Sequence, residues 1–70
     1  MDETVALLLL ELKIKLGELE TDWQYSSLEK IFIEERIYKD KEFEESESID
    51  QVVVHVRKRL EPFLPELIRP

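Results

Sequence analysis

The densest chemistry in this chain is the acidic stretch Asp40-Lys41-Glu42-Phe43-Glu44-Glu45-Ser46-Glu47. Clustered carboxylates at short spacing suggest a hard-cation loop. A helix–loop–helix calcium site, however, needs glycine at its sixth position and a bidentate glutamate at its twelfth. Counted from Asp40, those positions hold Glu45 and Gln51. The stretch therefore reads as a solvated connection, and no metal is expected. Paired carboxylates also stand at Glu34-Glu35 and Glu44-Glu45. General acid–base work requires one of two carboxyls to be desolvated and held protonated, and adjacent glutamates on a charged surface supply no such asymmetry.

His55 is the only histidine and cysteine is absent. A transition-metal site would need several carboxylates to converge on that one imidazole. His55 is expected on the flank of a helix, as a partly buried hydrogen-bonding residue. Neither a nucleophile-elbow nor a phosphate-loop pattern occurs. Arg57-Lys58-Arg59 is the one basic run. On a helix three successive residues splay through ~200°, so they make no single patch and instead complement a helix C-terminus. The expectation is a protein that is not an enzyme and has no cofactor.

Seventy residues form at most one domain with a marginal core. Disulfides are excluded, which leaves oligomerisation as the usual reinforcement of a small scaffold. The formal charge is −7, with twelve acids against four bases in residues 17–50 and two against four in residues 51–70. Such a balance disfavours direct contact with nucleic acid or anionic lipid and favours a basic protein partner. The start Met1-Asp2-Glu3 lacks the positive charge of a secretory leader, and the apolar run from Val5 is broken at Glu11. No membrane span is expected and the location is read as cytoplasmic.

Three elements would position these groups. The first is a helix over about residues 3–16. Val5, Leu8, Leu9, Leu12, Leu16 and Leu19 share one face, and Leu7, Leu10 and Ile14 form a second stripe. Asp2 and Glu3 sit at its start, and Gly17 stands where a left-handed residue would close it. The same leucines also alternate in a two-residue period, which is the pattern of a half-buried strand. The second helix covers about residues 27–38, with Ser26 and Glu29 at capping-box spacing. Leu28, Ile31, Phe32, Glu35 and Tyr38 lie on one side, and Ile33 and Ile37 on another. An acidic linker over 39–47 follows. The third helix, 48–60, is capped by Ser48 with Gln51, carries Ile49, Val52, Val53, Val56 and Leu60 on one stripe, and is stopped by Pro62. Residues 61–70 form an apolar tail punctuated by prolines, expected to pack back on the domain.

The chain is thus expected to be an all-α three-helix domain, dimerised through a second apolar face; the alternative is α+β, with two or three strands and a C-terminal helix. The residues for self-association are Leu7, Leu10, Ile14, Ile33 and Ile37. Those for partner contact are Glu42, Glu44, Glu45, Glu47, Trp23 and Tyr25, with core anchoring the competing role for Trp23. The expected function is a small acidic protein-binding module of regulator or inhibitor type that docks on a larger, basic protein. The alternative is a structural or assembly subunit.

Overall fold

The leucine-rich segment is helical because its buried residues recur with a period near 3.6 rather than 2. Helix α1 spans Glu3–Leu19 and buries Leu9, Leu12 and Leu16, with Val5 and Leu8 half-buried beside them. A strand would have put Leu10 and Ile14 on the same face as Leu12 and Leu16, but both are exposed. The computed structural model describes residues 3–68; the contributions expected of Asp2 and Pro70 lie outside them. Among the described residues there is no strand, only an isolated antiparallel bridge between Trp23 and Ile68.

Two expectations for the end of α1 are corrected. Gly17 does not terminate the helix and has no positive φ. The helix continues through Leu19, and the Glu20 amide still donates to the Leu16 carbonyl at 2.6 Å. Leu19, placed on the core stripe by its spacing, is exposed because it lies in the terminal turn beyond the last core residue, Leu16.

Helix α2 spans Tyr25–Glu34 and buries Leu28, Ile31 and Phe32. It starts before Ser26, with Gln24 as its N-cap residue, and makes no side-chain cap bond. Glu29, expected to complete a capping box, instead accepts from Lys13 of α1 at 3.0 Å. The helix also ends earlier than expected. Arg36 adopts the left-handed conformation (φ 53°, ψ 40°), and a short 3₁₀ turn, Ile37–Lys39, follows. That left-handed residue breaks the helical phase, so Ile37 turns inward and is fully buried while Ile33 stays exposed. Ile37 is therefore a core residue and not part of a self-association face.

The expected acidic linker contains a one-turn helix, α3, Lys41–Glu44, whose purpose is visible in Phe43. Its ring is buried, with its centroid 5.6 Å from that of Phe32, and the Tyr38 ring also packs on Phe32, at 5.9 Å. Aromatic contacts at such distances add about 0.5–1.5 kcal/mol to the area they bury.

Helix α4 spans Ile49–Leu60. The Ser48 hydroxyl accepts from the Gln51 amide at 3.3 Å, and the Gln51 side chain accepts in return from the Glu47 amide, one residue ahead of the cap, at 2.7 Å. Val52, Val53, Val56 and Leu60 are buried on one stripe. Pro62 stands in a 3₁₀ turn, Glu61–Phe63, and a last helical turn, α5, Leu64–Leu67, returns along α2. The tail packs on the domain: Leu67 is fully buried and its carbonyl accepts from the Gln24 amide at 2.7 Å.

Val56 is 0% exposed and Val54, two residues before it, is 69% exposed. Val56→Asp should cost about 4 kcal/mol, because an unpaired carboxylate is forced into the core. Val54→Asp should change stability by about 0.5 kcal/mol or less. Urea unfolding of the two variants checks this, and equal losses at both positions would contradict the helix.

Candidate protein-docking surface

Four surface features concern function, and each follows from how the helices end. The first is the acidic run. Because α3 is a single turn anchored by Phe43, the side chains of Glu42, Glu44, Glu45 and Glu47 all point to solvent. None of the four takes part in an ion pair among the described residues. The Ser46 hydroxyl donates to the Glu42 carbonyl at 2.6 Å and holds the turn in shape.

The second is the outer stripe of α1. Leu7, Leu10 and Ile14 are 59%, 55% and 58% exposed and lie on one line of the helix. Charges of both signs stand near them in sequence: Glu11 and Glu18, Lys13 and Lys15. Ile33, also exposed, belongs to α2.

The third is a shallow groove of about 400 Å³ between the start of α1, α3 and the start of α4. Its floor contains Phe43 and Val52, its walls the half-buried Val5, Leu8 and Ile49. Glu11, Glu44 and Glu47 are exposed along its edge. Sequence reasoning named the acidic residues but missed this groove. The available signal was a lone phenylalanine inside an acidic run, an apolar side chain that a freely solvated linker has no use for.

The fourth is a charged clasp. One carboxylate oxygen of Asp40, Oδ2, accepts from His55 Nε2 at 2.8 Å and from Arg59 Nε at 2.7 Å. An ionised carboxylate only accepts, so this geometry places the imidazole proton on Nε2. Arg59 Nη2 also donates to the Glu35 carbonyl at 3.0 Å. The clasp ties the connection after α2 to α4 and fixes where α3 begins. Burial pushes the Asp40 carboxyl up, but the hydrogen bonds from His55 and Arg59, with the attraction of the guanidinium, bring it below its usual value.

Trp23 is 5% exposed and lies in the core, so it is corrected from a partner contact to an anchor. Tyr25 is half-buried, and its hydroxyl donates to the Glu20 carbonyl at 2.7 Å. Burial of the phenol, reinforced by the Glu20 carboxylate, raises its pKa. Arg57 pairs with Glu20 at 2.6 Å, so the basic run is distributed between two separate acids. Among the described residues, no group of three or more histidine, aspartate or glutamate side chains could hold a metal ion. No described helix is long and apolar enough to cross a membrane. Comparison with protein-family models, with curated proteins and with solved structures returns no match.

Because the Asp40 carboxyl is depressed in the folded state, its contribution to stability is complete above its unfolded value and is lost as pH falls through the lower folded value. Asp40→Asn should cost about 1 kcal/mol at pH 7, a modest figure because the group is partly screened by solvent. The gap between wild type and variant should shrink on acidification below about pH 4. Urea melts at pH 7 and pH 3 test both points; a gap that does not change with pH would contradict the clasp.

Proposed function

We propose that this chain is a small acidic protein-binding module of regulator or inhibitor type, without catalytic activity, that docks on a larger basic protein. The observation that carries this reading is the outward presentation of Glu42, Glu44, Glu45 and Glu47 by α3 and the turn after it, none of them neutralised within the domain. Free carboxylates concentrated in one short segment steer a basic partner into encounter. A partner isolated with the immobilised chain should associate about tenfold more slowly with the Glu42→Gln, Glu44→Gln, Glu45→Gln, Glu47→Gln variant at low salt, and the difference should fade as salt rises. Association kinetics indifferent to salt and to these substitutions would refute the charge-steered reading.

Self-association is a second property of the proposal, supported by the exposed stripe Leu7, Leu10 and Ile14 on α1. Residues 7, 10 and 14 have the spacing of a coiled-coil seam, and Lys15 beside them offsets part of the acidic charge that otherwise keeps copies apart. Three side chains bury far less than the ~1,200 Å² of a stable interface, so a weak dimer is expected. Sedimentation should show dimer forming at high micromolar concentration or above, and Leu10→Glu should abolish it without lowering the melting temperature of the monomer. A wild-type chain that stays monomeric throughout would exclude this face.

A further inference from the structure

Resting on the protein-binding reading, we propose that the groove between α1, α3 and the start of α4 is its docking site, and that its occupant is a basic amphipathic segment of the partner protein. One or two apolar side chains of that segment would pack among the half-buried Val5, Leu8 and Ile49, above the floor formed by Phe43 and Val52, with flanking lysine or arginine side chains over Glu11, Glu44 and Glu47.

Size is the first argument. The groove's volume of about 400 Å³ leaves room for one or two apolar side chains. Preformation is the second. Phe43 is fixed by its contact with Phe32, and Val52 belongs to the buried stripe of α4. An incoming side chain therefore meets an ordered apolar floor and does not have to organise one.

Charge decides the class of occupant. Every charged residue lining the groove is a glutamate. The start of α4 also faces this region, and a helix N-terminus carries roughly half a positive charge. That half charge is outweighed by three carboxylates, and part of it is already satisfied by the Ser48 and Gln51 cap. An anionic ligand is thereby disfavoured. A second copy of this chain is disfavoured as well, since its net charge is also −7. The groove thus differs from the outer stripe of α1, where lysines accompany the glutamates.

The test uses the full chain, isotopically labelled, and two synthetic helical peptides. One carries leucines on a single face and lysines elsewhere; the other keeps the lysines and replaces each leucine by serine. The leucine–lysine peptide should shift the amides of residues 4, 5 and 8 and of residues 43–49. Glu11→Lys with Glu44→Lys should weaken binding about tenfold, whereas Glu18→Lys with Glu34→Lys, the same charge change away from the groove, should weaken it about twofold or less. The serine peptide should bind far more weakly, because the apolar anchors are gone. All four positions are exposed, and matching thermal melts will establish that the variants fold. Equal losses in both double variants, equal binding of both peptides, or shifts centred on Leu7, Leu10 and Ile14 would overturn the groove while leaving protein binding intact. No binding of either peptide would also overturn it, and the partner-association kinetics then judge the broader reading separately.

Discussion

Everything in this domain depends on one shared apolar core. Leu12, Leu16, Leu28, Phe32, Ile37, Val56, Leu60 and Leu67 are all fully buried, and together they draw on α1, α2, the 3₁₀ turn after it, α4 and α5. Each such side chain contributes about 1.5–3 kcal/mol when removed from water. Apart from α1, the helices are at or below the ~12–15 residues under which an isolated helix is marginal in water, so most of the elements exist because they meet. A core this small must recruit from every segment, and it does so even inside the acidic run, where Phe43 is the only large apolar residue. The same burial that stabilises the fold thereby sets the position of the glutamates around it.

Legibility in the sequence varied with how many local signals agreed. For α4 the cap, the period and the stop all concur, and its bounds and buried face follow from residues 48–62 directly. The leucines of α1 satisfy two periods at once. Only the depth of burial of Leu9, Leu12 and Leu16 separates helix from strand. Gly17 has the composition of a terminator, but a glycine is also tolerated inside a helix where its neighbours continue to pack. The Ser26–Glu29 spacing misleads because Glu29 finds a stronger, distant partner in Lys13, and no local pattern encodes that pairing. Arg36 shows the same limit: a non-glycine residue in a left-handed conformation is selected by the burial of Ile37, not by its own preference.

The candidate surface divides along similar lines. Exposure of the acidic side chains and of Leu7, Leu10 and Ile14 is a property of single elements and could be read from spacing. The groove is a property of three elements, and only the lone Phe43 in the acidic run hints at it. Asp40 is instructive here. As the residue before α3 it has the type of a helix cap, yet its carboxylate is turned to His55 and Arg59, which lie fifteen and nineteen positions onward. Long-range charge complementarity overrides the local preference.

The bridge between Trp23 and Ile68, with the Gln24–Leu67 bond beside it, also has a bearing on the order in which the molecule assembles. Forming this bridge requires closing a loop that includes α2, α3 and α4. Contacts within adjacent helices can form early, since they close short loops, whereas this one bears a larger entropic penalty and gains nothing until the intervening helices are in place. Trp23 is the only tryptophan in the chain. Its fluorescence therefore reports the closing of the core around residue 23, to which the C-terminal segment is tied through this bridge.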